Sequence, residues 1–466
     1  MDGLQQKTAS RHAGLRTALG YLTTNPLSRL AAWERPRANR GGPSDPVVAA
    51  RWSRALWICA LPFACACACA TQARDPAPET REISASPDDL SSQVTEGRLE
   101  ADAILGQGLA AQLGDVWRRF NDGIDARTRL RLGLNYTAVL QAASAVEQGD
   151  SGASGGDFEF FGQWSVVDRG KWPGSISFLT ELRHRYTSTA PADLGANIGS
   201  LFRTTTGFGS QAFALSQLYW DHGSFEAGFR YRIGKIDPAL TYDSGRYVSD
   251  NYAFLNQAFS DTAAMALPGP GLGATVVAYP HGELYAMAGV QDANGRKTNS
   301  GFDTIGDGEL FAALELGWTP KFGEPREGAY HMTFWHSDRR ANADVPSGRG
   351  FALTAEQQLG PDNRIVPFVR YSYGTGAGLK VRQVLAVGAG FEQILGQNDD
   401  LIGVGAAWGQ PADRSLRDEY VFEAFYRFYL TPNMHISPDV QLIVHPSRNP
   451  EEDFVAVLGL RFRLLF

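Results

Sequence analysis

Arginine recurs in this chain wherever polar and apolar side chains alternate. Glu181, Arg183 and Arg185 share one face of LTELRHRY, and Glu226, Arg230 and Arg232 share one face of FEAGFRYRIG, which runs on into Lys235 and Asp237. Arg370 stands on the polar face of PFVRYSY, and Glu423 and Arg427 on that of VFEAFYRFYL. Arg461 and Arg463 do the same in the final run, DFVAVLGLRFRLLF. A guanidinium offers five donors in a fixed plane and keeps its charge, which suits hydroxyls, carboxylates or phosphates. The glutamates add acceptors, and the adjoining aromatic rings add a stacking surface. Together these groups suit a neutral polyol better than an anion, which carboxylates would repel. For each residue the alternative is a charge paired with its neighbours on a solvated wall.

The other candidates for chemistry are weaker. All four cysteines, Cys59, Cys65, Cys67 and Cys69, fall in LWICALPFACACACATQA. A zinc site needs thiolates that converge on one ion, whereas alternating Cys-Ala throws them to opposite sides of an extended chain. Arg51 and Arg54, the apolar run Ala55–Ala70 and a small-residue exit instead describe a secretory signal peptide over 47–73. A lipoprotein leader is the alternative, although Pro62-Phe63-Ala64 before Cys65 is a poor lipidation context. Residues 1–46 read as a disordered extension or a start assigned too early. Gly374–Gly378 lacks the Lys-Ser/Thr of a phosphate loop, and Asp303–Glu309 lacks EF-hand spacing. His331 and His336 fall on opposite faces of a strand. No catalytic residue, metal or cofactor is therefore expected, and the chain does not read as an enzyme. A net charge of −7 argues against a nucleic-acid partner.

These residues must be positioned by strands. From about residue 125 to Phe466 the apolar residues fall at every second position, which is the β period. No uncharged apolar run of about 18 residues follows residue 73, so no helical span is expected. A sandwich would bury the apolar face and a membrane barrel would turn it to lipid. Export, the absence of thiols after processing, and unbroken alternation up to an aromatic last residue favour an all-β, antiparallel up-and-down transmembrane β-barrel over 125–466. At about 20 residues per strand and connection, that length holds about 16 to 18 strands. Tyr371, Tyr373, Trp408, Tyr420, Phe422 and Tyr429 are candidates for interfacial girdles. Asp292–Gly295, Gly306–Gly308, Gly360–Asn363 and Gln397–Asp400 are candidate turns. Residues 74–124 read as a periplasmic linker. Ser86-Pro87-Asp88-Asp89 has the form of a helix start within it, with an unstructured tether as the alternative.

The terminal stretch Glu423–Phe466 resembles the carbohydrate-selective porins of the OprB family. The shared elements are Glu423, Phe425-Tyr426-Arg427, Leu430-Thr431, Ile436, Pro438-Asp439, Gln441, Pro446, Asn449 and Arg461-Phe462. Gly234-Lys235-Ile236-Asp237, Phe254-Leu255-Asn256 with Phe259, and Asp168 with Trp172-Pro173-Gly174 are also similar. The resemblance implies a 16-stranded barrel in a Gram-negative outer membrane, passing glucose and other mono- and oligosaccharides by diffusion through an arginine-rich constriction, without a cofactor. It makes Arg230, Arg232, Lys235 and Asp237 the foremost pore-lining candidates, then Glu423 and Arg427; Arg183, Arg185, Glu226 and Arg370 join them from the strand pattern alone. Phe466 resembles the terminal signal read by the barrel-assembly machinery, and the barrel would sit in outer-membrane lipid as a monomer or trimer. The alternatives are an anion- or phosphate-selective or general diffusion porin and, from another class, a barrel enzyme or adhesin.

Overall fold

The structure, a computed structural model, describes Pro87–Leu90, Gln93, Ala103–Leu105 and residues 109–466 except 323–326, 361 and 395–398. The expected signal peptide 47–73, the extension 1–46, and Pro361, Gln397 and Asn398 of the candidate turns lie outside the described residues.

Helix α1, Leu109–Thr128, runs past the expected boundary at 125 and hands the chain to the first strand. Sixteen strands follow. They are β1 Leu130–Ala143, β2 Gly152–Val167, β3 Gly174–Arg185, β4 Gln211–Ser224, β5 Phe229–Ile236, β6 Gly271–His281, β7 Leu284–Asp292 and β8 Leu310–Trp318. They continue as β9 Gly328–Ser337, β10 Gly348–Gln357, β11 Ile365–Gly376, β12 Val381–Glu392, β13 Leu401–Pro411, β14 Glu419–Thr431, β15 Met434–Val444 and β16 Phe454–Leu465. Each pairs antiparallel with its neighbours in sequence, and β1 pairs with β16 to close the barrel. At the seam Leu134 and Phe466 exchange both backbone hydrogen bonds at 2.8 Å. Closure leaves no edge, which a sheet surrounded by hydrocarbon requires.

The alternation sorts the side chains. In β16, Leu458 and Leu460 are 61% and 43% exposed on the outside, while Arg461 and Arg463 are fully buried inside. Leu140, Ile233, Val276, Leu314, Leu316, Val369 and Leu385 extend that outer apolar surface around the wall. Water would not tolerate so continuous an apolar belt; lipid does. No helix among the described residues is long and apolar enough to cross a membrane.

Three local expectations need correction. Phe225–Gly228 is a turn, not the start of β5, because Gly228 takes a left-handed φ of 73° that ends the alternation, and exposed Glu226 lies in that turn. Tyr429 faces inward and is buried, since it has the same parity as Glu423. Asp292–Gly295 and Gly306–Gly308 bracket a single longer connection that contains a 3-10 turn, Ile305–Asp307.

Two long connections fold into the barrel instead of away from it. The β3–β4 connection carries α2, Pro191–Ile198. The β5–β6 connection, residues 237–270, carries α3, Gln257–Ser260, and is here called the inner loop. Its Phe254 and Phe259 pack with Phe368 of β11 and Phe425 of β14 in the largest buried apolar cluster. Glycines on the lumen face make room: a Cβ at Gly405 would lie 2.7 Å from the Phe259 ring, and one at Gly390 2.1 Å from that of Tyr247. Gly405→Val should therefore overpack this seat and destabilise the folded barrel by about 1–3 kcal/mol. Thermal unfolding in detergent followed by gel mobility tests this; an unchanged midpoint would contradict the packing described.

Candidate functional site

The wall holds the inner loop through buried charge. Asp243 of the loop accepts from Arg370 (2.9 Å), Thr354 (2.8 Å), His331 (3.1 Å) and Thr262, while its own backbone N–H donates to Glu315 at 2.7 Å. Burial opposes ionisation of Asp243, yet the Arg370 guanidinium and the His331 hydrogen bond outweigh it and hold the carboxyl well below the usual range. Arg370 also donates to Phe259 O and Thr262 Oγ1, both at 2.8 Å. Further along, Glu423 accepts from the N–H groups of Leu255 (2.5 Å) and Asn256 (3.0 Å). Arg461 donates to Asp250 O and Ala253 O at 2.8 Å, Arg463 to Tyr252 Oη at 3.1 Å, and Arg427 to Tyr252 O at 3.1 Å. Arg246 of the loop meets Glu392 at 3.1 Å.

The ten candidate pore residues accordingly divide. Arg370, Glu423 and Arg427 are spent on the inner loop. Lys235 Nζ is surrounded by three carbonyls, of Leu215, Lys297 and Asn299, at 2.6–2.8 Å, and ties down the β7–β8 connection. Asp237 caps the 3-10 turn Pro238–Leu240 by accepting from Ala239 N, and burial pushes its carboxyl up. Arg185 lies exposed at the strand end, bonded to Ser188 O. Glu226 is not on the wall.

Arg183, Arg230 and Arg232 remain, together on the β2–β5 wall and each matched by acid. Arg230 meets both oxygens of Asp221 at 2.7 Å. Arg232 lies 3.0 Å from Asp221 and 3.0 Å from Asp89, with its guanidinium 4.2 Å over the Tyr219 ring. Arg183 lies 2.8 Å from Asp157 and 2.8 Å from Glu181, and Lys297 reaches Glu181 at 2.7 Å. The carboxylates of Asp157, Glu159 and Glu181 lie close enough to hold a cation. Arg183, Lys297 and Arg463 already balance them, so the cluster is an ion-pair network.

Strand register makes these pairs. Asp221 stands directly across from Arg232, and Asp157 across from Arg183. Sequence reasoning found the arginines but missed Asp221, Asp157, Lys297 and Asp89. Asp221 carried a signal, since it alternates with Trp220 and His222 in LYWDHG. Asp157 carried the same signal, since it alternates with Phe158 in GDFEFF; Lys297 and Asp89 depend on folds of chain that no local pattern announces.

A closed sixteen-stranded barrel with a lipid-facing belt, a loop folded into its lumen and charged residues along the wall defines a porin-type channel. Residues 177–466 match the model of the carbohydrate-selective porin family, OprB, and the chain belongs to this family of outer-membrane porins. The fold is similar to that of Pseudomonas putida OprB in its high-pH structure, with a TM-score of 0.63 and 17% identity over 75% of this chain and 97% of that one. Among curated proteins it is similar to porin AaxA of Chlamydia pneumoniae, 27% identical over 244 residues (50% of this chain, 54% of the relative). Porin AaxA of Chlamydia felis is 24% identical over 306 residues (62% and 65%). The chain thus spans about half to two thirds of the length of these relatives.

Removing Arg370 would leave the buried Asp243 carboxylate with His331 and two hydroxyls but without its guanidinium partner, and breaking such a buried pair typically costs about 3–5 kcal/mol. Arg370→Ala should free the inner loop and increase single-channel current noise; a quiet channel would contradict the anchoring. The pH dependence has a definite sign. A carboxylate with a depressed native pKa stabilises the fold above its unfolded value, near pH 4, and loses that contribution only as pH falls through the native value. Current noise should therefore stay at its neutral level down to about pH 4 and rise below it. A rise that is complete above about pH 5 would sink this assignment.

Proposed function

We propose that this porin is a sugar-selective diffusion channel of a Gram-negative outer membrane, passing glucose and related neutral sugars along the Arg183, Arg230 and Arg232 wall. The observation that carries this reading is the matching of each of these arginines to a carboxylate. Paired guanidiniums keep donors for hydroxyl groups while the wall as a whole holds little excess charge, so a neutral polyol gains hydrogen bonds and an anion gains little field. Arg230 is the most available of the three, with 28% of its side chain exposed against 19% for Arg183 and 11% for Arg232. Weak, replaceable hydrogen bonds are what permeation needs, because a tightly held sugar would not leave. Passage is passive and breaks no bond. Phe466, paired into the closing seam, fits a terminal signal for assembly in the outer membrane.

Liposome swelling with a panel of sugars and organic anions tests the proposal. Glucose should permeate faster than an organic anion of similar size. Arg230→Ala or Arg232→Ala should lower sugar flux at limiting concentration by roughly fivefold, the equivalent of one hydrogen bond of about 1 kcal/mol. Unchanged flux in both variants would refute the assignment of these arginines, and anion permeation ahead of sugar would favour an anion-selective porin.

A further inference from the structure

The space between the ion-paired wall and the inner loop is occupied. Pro87–Leu90 and Gln93, which precede the barrel in sequence, form one helical turn closed by Gln93 N donating to Asp89 O at 3.0 Å. Gln93 Nε2 adds a bond to Asp88 O at 2.9 Å. Proline at the first position and two aspartates in the first turn favour such a start. Leu90, 1% exposed, inserts among Phe161, Leu179, Tyr219 and Ile236, one from each of β2 to β5. Asp89 pairs with Arg232 at 3.0 Å. The side-chain amide of Gln93 lies 2.8 Å from that of Asn135 on β1. On the opposite side Asn251 of the inner loop donates to Asp88 Oδ1 at 3.2 Å. The turn therefore bridges the lumen, from the β1–β5 wall to a loop that is itself fixed to the strands opposite.

We propose that the turn formed by Pro87–Leu90 with Gln93 is a resident plug that narrows the channel, and that Asp89 sets its charge selectivity. Arg230 and Arg232 together carry two positive charges, and Asp221 cancels one. Asp89 cancels the other, so without it the wall beside Tyr219 would hold an uncompensated guanidinium. A fixed charge in a narrow, low-dielectric passage concentrates counter-ions, and here they would be anions. Leu90 sets the width, because its burial holds the turn against the wall where it blocks the lumen. The inference rests on the channel reading and not on the preference for sugars, and ion current reports it whichever solute the channel prefers.

The test is planar-bilayer recording in potassium chloride with the full chain and two variants. Asp89→Asn keeps the shape of the turn and should leave conductance near its original value, while the reversal potential in a salt gradient shifts toward that of chloride. Leu90→Asp should expel the turn, raise single-channel conductance by about twofold or more, and shift selectivity the same way. If Leu90→Asp does not insert, the reversal potential of Asp89→Asn alone decides. Original conductance in an inserted Leu90→Asp channel would overturn the plug, and an unshifted reversal potential in Asp89→Asn would overturn the role of Asp89.

Discussion

A length of backbone inside an aqueous barrel keeps one position only if the wall holds it more firmly than water does, and here the contact between Arg370 and Asp243 does so. Both side chains are buried, each makes several further hydrogen bonds, and losing either would break a buried charge pair. Around this pair the inner loop is drawn across the strands from β8 to β16, by Glu315 at one end and Arg461 and Arg463 at the other. The position of the loop decides where the lumen stays open. The passage, its lining and its plug all follow from that anchorage.

Anchoring divides the arginines into two populations that look alike in a list of residues. Those on β11, β14 and β16 reach the inner loop through its carbonyls, the Asp243 carboxylate or the Tyr252 hydroxyl and are structural, Arg463 also pairing with Glu159 of β2. Those on β3 and β5 face the remaining lumen and are balanced by acids from β2, β3, β4 and the segment before the barrel. A channel lined only by the first kind of residue, unpaired, would be an anion filter. The pairing seen here supports a different reading, in which guanidiniums act as oriented donors and their charge is largely cancelled in place.

How much of this was legible in the sequence depended on the range of the interaction. Strand alternation is a property of adjacent residues, so the barrel and its lipid face could be read from runs such as VFEAFYRFYL. The inner loop could not. Residues 237–270 have no period, and their place in the lumen is set by partners more than a hundred positions away, as with Arg370 and Asp243. Glu423 and Arg427 looked like pore residues because parity puts them on the inner face, which is correct, but parity does not say that a loop covers that face. Glu226 failed for a local reason, a glycine turn that interrupts the pattern. Asp89 lay in what read as a linker, and it acquires a role only because the chain doubles back into its own barrel.

Single-channel recording in a salt gradient, with glucose then added to both sides, tests the central claim most directly. A charge-compensated lumen that accommodates neutral sugars predicts a reversal potential near zero and a reduction of ion current as glucose enters the passage. A reversal potential close to that of chloride, with a current indifferent to glucose, would contradict it.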